Sequence, residues 1–189
     1  HELLLAMAKD PDRSTAALMS LLGHRSQGIR QRTAEILAEV GRKRPDRVVP
    51  LVAPALKEGD DKVREGALRA MGGIAERRLR EVREHLGDMA SNLEHRTKEV
   101  RQAAVDGLFV VAKRDPQRLM PVFETVARAI EDPYPHVRWR AAQIAGIVGQ
   151  HIPRAAHVAI PKLVAARKDS YEHVRWRAKE ALELMDVDP

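Results

Sequence analysis

Tyr134-Pro-His-Val-Arg-Trp-Arg-Ala141 and Tyr171-Glu-His-Val-Arg-Trp-Arg-Ala178 are nearly the same octapeptide, met twice at a distance of 37 residues. Working outward from them, a Val-Arg or Ile-Arg pair recurs at Ile29-Arg30, Val63-Arg64, Val100-Arg101, Val137-Arg138 and Val174-Arg175, with spacings of 34, 37, 37 and 37 residues. A fixed period of this length marks an array of small supersecondary units, none of which can bury its apolar face alone.

Each pair opens a helix. With the Val or Ile as position zero, +4 holds Thr33, Ala67, Ala104, Ala141 and Ala178, and +8 holds Leu37, Met71, Leu108, Ala145 and Leu182. Position +11 holds Val40, Ile74, Val111, Val148 and Met185. At 3.6 residues per turn these positions form one stripe, apolar in every copy except for Thr33. The many alanines predict close approach of neighbouring helices. Another helix precedes each of these, its start marked by Asp10-Pro11, Pro45-Asp46, Asp115-Pro116 and Pro153. Proline is tolerated in a first turn because its missing N–H would be unpaired there anyway. The bodies of these first helices read as residues 48–57, 82–93, 119–130 and 158–168. Pro50, Pro121 and Pro161 fall inside three of them and predict bends. No stretch alternates with period two for long enough to be a strand.

Composition bounds the rest. The chain has 189 residues, 44% hydrophobic and 32% charged, which suits a globular domain with a sizeable core. No apolar run approaches the ~18 residues that cross a bilayer, and residues 3–8 lack the flanks of a secretory signal. Cysteine is absent, which excludes disulfides, thiolate metal sites and cysteine nucleophiles. A cytoplasmic location is the expectation. A single asparagine, Asn92, abundant arginine and no cysteine lean toward a thermophilic source. The net charge is +6, with Lys and Arg interleaved among Asp and Glu. That pattern reads first as a solvated, salt-bridged surface and second as a surface for an acidic partner such as nucleic acid.

The order of elements resembles the HEAT repeat: a first helix bent by proline, a short acidic turn, then Val-Arg-x-x-Ala. The resemblance includes the short repeats of phycobilin-lyase-like proteins and covers essentially the whole chain. Glu131-Asp132-x-x-x-x-Val137-Arg138 and Lys168-Asp169-x-x-x-x-Val174-Arg175 carry it best, while His24 and His95 replace the acidic residue in two turns. The resemblance implies an all-α, right-handed α-solenoid (armadillo-like) of about five repeats over residues 1–189, with a partial repeat at the N-terminus. It also implies that the arginines at +1, Arg30, Arg64, Arg101, Arg138 and Arg175, form a structural ladder with the acidic turn residues, often across repeats. Asp132 and Asp169 are expected to pair with Arg138 and Arg175, and Asp60 or Asp61 with Arg64 or a neighbour. Asp10-Pro11-Asp12-Arg13 matches Asp115-Pro116-Gln117-Arg118, which aligns Leu3 with Leu108 and predicts that the chain is a piece of a longer array.

Catalytic signatures are missing. There is no Gly-x-x-x-x-Gly-Lys-Ser/Thr loop, no Gly-x-Gly-x-x-Gly and no His-Glu-x-x-His. Gly72-Gly73 reads as close helix packing. His136 and His173 occupy the same site in adjacent repeats, where helices ~8–10 Å apart cannot share one zinc; turn position and exposure account for them. No metal and no cofactor is expected.

Function is expected on positions +2, +3 and +6 of the second helices, which line the concave surface in the resembling solenoids. The rows are Gln31, Arg32, Glu35; Glu65, Gly66, Arg69; Gln102, Ala103, Asp106; Trp139, Arg140, Gln143; and Trp176, Arg177, Glu180. The last two are aromatic and basic. One reading is recent duplication of a repeat with the rings lying over neighbouring aliphatic stems. The other is a binding groove, since Trp and Arg are enriched at interface hot spots. The expected function is a non-catalytic scaffold that binds a protein or an acidic peptide through Trp139, Arg140, Gln143, Trp176, Arg177 and Glu180. Nucleic acid is the alternative partner, by stacking and charge. Some HEAT-like proteins are DNA glycosylases or bilin lyases. The glycosylase type uses Trp, Asp and Arg together, and here Asp106 lies one repeat away from the tryptophans.

Overall fold

The computed structural model describes residues 11–57 and 59–187. Every regular element among them is helical. The proposed partial repeat before Asp10 lies outside the described residues. The chain divides into two compact units at His85/Leu86.

The first unit contains α1 (Pro11–Leu22), α2 (Gln27–Lys43), α3 (Pro45–Val52) and α4 (Asp61–Val82), with 3-10 turns at Ala53–Leu56 and Arg83–His85. α2 packs along α4, and α3 closes over both. Ala34, Leu37 and Ala38 of α2 are buried, as are Ala67, Leu68, Met71 and Ile74 of α4. The alanines matter because they let the axes close up. At Gly73 an added Cβ would lie 2.5 Å from the Ala38 Cβ, so no larger residue fits that crossing. Thr33, the polar exception in the stripe, is buried with its hydroxyl donating to the Ile29 carbonyl at 2.7 Å. The helix itself thus satisfies the group that burial would otherwise penalise.

The second unit contains α5 (Leu86–Ser91), α6 (Lys98–Arg114), α7 (Phe123–Arg128), α8 (Pro135–His151), α9 (Pro153–Ala166) and α10 (Glu172–Leu184). Short 3-10 segments lie at Asn92–Glu94, Pro116–Val122 and Ala129–Glu131. α6, α8 and α10 stand side by side as successive second helices, with α8 in contact with both others. Their apolar stripes, Val100, Ala104, Leu108 and Val111, then Val137, Ala141, Ala145 and Val148, then Val174, Ala178 and Leu182, are completely buried.

Proline sets most hairpin turns. Arg44, Asp115 and Ile152 leave the helical region with φ/ψ of −133/64°, −156/89° and −137/74°. Each precedes a proline, whose ring disfavours a helical residue before it. Arg78 makes the same break (φ −128°, ψ 47°) with no proline after it. The turn therefore comes earlier than the expected helix start at residue 82. The interior prolines differ among themselves. After Pro50 the helix passes into 3-10 geometry at Ala53, and Pro121 lies in a 3-10 segment before α7. Pro161 sits within α9, whose helical assignment runs unbroken from Pro153 to Ala166.

The five +1 arginines share one geometry, and the ion pairs run across repeats, with different partners for Asp132 and Asp169 from those expected. Each turns its guanidinium back onto carbonyls of the turn before its own helix. Arg30 donates to His24 and Arg25, Arg64 to Leu56 and Lys57, and Arg101 to His95 and Arg96. Arg138 donates to Asp132 and Pro133, and Arg175 to Asp169 and Ser170. The carboxylates pair one repeat back: Asp132 with Arg101 at 2.6 and 3.0 Å, Asp169 with Arg138 at 2.7 and 2.8 Å. Asp132 and Asp169 therefore do not take the side chains of Arg138 and Arg175, because those guanidiniums already lie against the backbone of the same turn. Asp60 accepts the Lys62 amide at 2.8 Å as a helix cap. His24 and His95 mimic the missing aspartate locally, each Nδ1 accepting the amide two residues on, at 3.0 and 3.1 Å.

Candidate functional site

The site grows from two identical turns. The Asp132 Oδ1 accepts the Tyr134 amide at 2.7 Å and the Asp169 Oδ1 accepts the Tyr171 amide at 2.8 Å. These bonds set the entry of α8 and α10, so His136 and His173 fall in the first turn of each helix. Trp139 and Trp176 follow three residues later, on the same side. The rings form one run across the two helices. His136 meets Trp139 edge-on at 4.8 Å, Trp139 meets His173 edge-on at 5.1 Å, and His173 lies tilted against Trp176 at 5.6 Å. Edge-to-face contact of this kind is the favoured arrangement for rings with a negative face and a positive rim.

Guanidiniums cover the ring faces. Arg140 lies 4.2 Å from the Trp139 centroid and 4.3 Å from that of Phe109 on α6. Arg177 lies 4.2 Å from the Trp176 centroid and 5.9 Å from that of Trp139. Arg140 donates its Nε to Asp106 at 2.9 Å and an Nη to Gln143 at 2.9 Å. Arg177 donates to Glu180 at 2.7 Å, while its buried Nε has no hydrogen-bond partner. That difference follows from the repeat: Asp106 occupies the +6 position that serves Arg140, whereas the corresponding residue for Arg177 is Gln143, turned toward Arg140.

Asp106 joins α6 to α8 by a second contact, with the His136 Nε2 at 3.0 and 3.2 Å from its two oxygens. Burial pushes the Asp106 carboxyl up, but the His136 hydrogen bond and charge and the Arg140 guanidinium outweigh it and hold the group below the ordinary carboxylate range. It is an ionised acceptor rather than a proton donor at neutral pH.

All six predicted binding residues lie on the α8 and α10 faces, in different states. Trp139, Arg140, Gln143, Arg177 and Glu180 are half-buried, and Trp176 is 52% exposed. The two tryptophans are thus not equivalent: Trp139 is enclosed by His136, His173 and two guanidiniums, and Trp176 is the open ring. His136 and His173 sit in the first helical turn as expected, and His173 is exposed, but both also take part in the ring run. Phe109 and the two histidines were not expected in the site, and Asp106, expected on the +6 row but not among the binding residues, joins it through Arg140 and His136. The three-residue spacing of His and Trp in both octapeptides was the available signal for the histidines. The earlier rows build nothing similar. Glu65, Gly66 and Ala103 are buried, and Arg32 pairs with Glu35 at the surface. Among the described residues, no group of three or more His, Cys, Asp or Glu could hold a metal ion. No described helix is long and apolar enough to cross a membrane.

A family model described as HEAT repeats matches residues 86–183. No curated protein sequence matches the chain. Solved structures do. An engineered protein matches with a TM-score of 0.73 and 19% identity, over 97% of this chain and 84% of that one. A designed armadillo repeat protein in complex with the peptide (KR)4 matches with a TM-score of 0.69 and 18% identity, over 91% and 82% of the two chains. Importin beta matches with a TM-score of 0.69 and 16% identity, over 97% of this chain and 26% of its own. At such identities the likeness shows the fold, an all-α solenoid of stacked helical hairpins.

Proposed function

The chain belongs to the HEAT-repeat family, and on that premise we propose that it is a non-catalytic scaffold that binds a protein or peptide along the face of α6, α8 and α10. Repeat scaffolds of this kind are generally non-catalytic, and they present extended surfaces rather than closed pockets. The observation that carries the reading is where the aromatics go. The protein has two Trp, two Tyr and two Phe, all within residues 109–176. Only Phe123 is spent on the core; Tyr171 and Trp176 are more than half exposed. A fold whose core is built from Ala, Leu, Val and Ile does not need large rings, so Phe109, Tyr134, Trp139 and Trp176, linked through His136, His173 and the arginines, point to contact with a partner.

The structurally similar designed armadillo protein is in complex with the peptide (KR)4, so the fold can seat a peptide. The chemistry of this face selects differently. Arg140 and Arg177 each keep N–H groups beyond those used by Asp106, Gln143 and Glu180, and suit a carboxylate on an acidic segment. Because each guanidinium is already paired with a carboxylate, the rings supply most of the affinity and the charges supply register. Binding should therefore change little between low and moderate salt.

The test is Trp139→Ala with Trp176→Ala. Partner capture should be lost while the helical circular dichroism spectrum is kept. Normal capture by the double variant would remove the assignment of this face. A steep fall in affinity with salt would instead favour nucleic acid here.

A further inference from the structure

The first unit carries a second surface, remote in sequence from the aromatic face and without its rings. Two successive hairpin turns bring together residues 39–47 and 76–84. These segments hold eight Lys and Arg against five Asp and Glu, an excess of three within a chain whose total is +6. Half of the net charge thus sits on two turns. Between them lies an open basin of about 400 Å³ lined by Glu39, Arg42, Lys43, Arg77 and Arg78.

The basin is built rather than accidental. Arg78 breaks its helix at the turn and donates its Nε to the Arg42 carbonyl at 2.8 Å. Arg42 donates in return to the Gly73 carbonyl at 3.2 Å. Each arginine therefore anchors on the neighbouring hairpin, Arg42 also meeting Glu76 there at 3.4 Å, and holds its guanidinium in a set direction. This reciprocal clamp also explains how the Arg78 turn forms without a proline. Lys43 is exposed and meets only Glu39, at 3.4 Å. Arg77 is exposed and has no ion-pair partner among the described residues. The second unit keeps a basic pair at one such turn, Lys113-Arg114, where Asp115 follows it, and has a single arginine at the other, Gln150-His-Ile-Pro-Arg154; the cluster is densest where the two turns of the first unit meet.

We infer that this basin is a docking surface for the phosphate backbone of a nucleic-acid duplex. Several cations spread over two adjacent turns match a line of regularly spaced charges better than one small anion. The lining has no apolar side chain to receive a peptide anchor or to enter a bilayer, and no ring on which a base could stack. Binding is by charge alone, indifferent to base sequence and dependent on counterion release. The aromatic face plays no part in it.

Fluorescence anisotropy of the full chain with a short labelled DNA duplex, over a series of salt concentrations, tests the inference. A second duplex of unrelated sequence should bind equally. Lys43→Ala with Arg77→Ala removes two exposed cations that make no backbone bond, and circular dichroism checks that the fold is kept. The double variant should flatten the slope of log affinity against log salt by about 1.8, at about 0.9 per lost phosphate contact. Trp139→Ala with Trp176→Ala should leave duplex binding as it was, so this surface and the aromatic face fail or stand separately. A slope unchanged by the Lys43/Arg77 variant would overturn the inference, as would loss of duplex binding in the tryptophan variant. Equal binding of a polyglutamate peptide or of phosphatidylserine vesicles would assign the basin to an acidic protein or a membrane instead, and would overturn it too.

Discussion

Arg138 shows how much one side chain does in this fold. It grips both oxygens of Asp169 one repeat ahead, two carbonyls of its own turn, and lies 5.5 Å from the Tyr171 centroid. Both partners of the ion pair are only 12% exposed, so removing one leaves the other short of partners where water cannot fully replace them. Arg138→Ala should cost about 1–3 kcal/mol, read as a lower urea midpoint, since hydrogen bonds to charged groups are worth about that much. Arg138→Lys should recover little, because an ammonium cannot span two oxygens and two carbonyls at once. Asp169 adds a pH dependence. Burial pushes its carboxyl up, but the Arg138 hydrogen bond, the Tyr171 amide and the Arg138 and Arg175 charges pull it below its ordinary 3.8. A depressed carboxyl stabilises the fold above 3.8, and that contribution is lost as pH falls through the lower folded-state value. The melting temperature should drop across that acid window, and Asp169→Asn should start lower at neutral pH and drop less. Equal acid sensitivity in the variant would show that other carboxyls govern the transition.

Between elements, the spacing of helices rests on small residues at crossings. On α8, a Cβ added at Gly146 would meet the Ala181 Cα of α10 at 2.9 Å and its Cβ at 3.0 Å. The first of these is backbone, so relief needs a whole helix to move. Gly146→Val should destabilise by about 1–3 kcal/mol, the usual cost of overpacking. On α5, nothing lies within 4 Å of a Cβ added at the exposed Gly87. Gly87→Ala should therefore stabilise by about 0.5–1 kcal/mol through helix propensity alone. Opposite shifts of the urea midpoint for these two glycine substitutions would separate packing from backbone entropy. The helices themselves were legible, because a stripe at 3.6-residue spacing and a proline at a first turn are local signals. The Arg78 turn was not, because it is held by the Arg42 carbonyl, 36 residues away.

At the scale of the whole chain, a solenoid holds each repeat mainly by its neighbours, so cooperativity across many repeats is not guaranteed. Both tryptophans lie in the second unit, and fluorescence reports on that unit alone. In urea, the fluorescence transition and the far-ultraviolet circular dichroism transition should not coincide; superimposable curves would show one cooperative block. The sequence alone determined the all-α repeat, its period, its apolar stripes and the tryptophan–arginine rows, since all of these follow from the pitch of a helix along a continuous chain. It also put the +1 arginines at the turns. Only the tertiary structure decided which carboxylate each arginine takes, that Asp106 reaches His136 and Arg140, and that Trp139 is enclosed while Trp176 is open. Those outcomes depend on the height and rotation of one helix against the next, which are set by packing between residues about 30 positions apart. A period read along the chain fixes what each helix carries, but leaves open which atoms meet when two helices settle side by side.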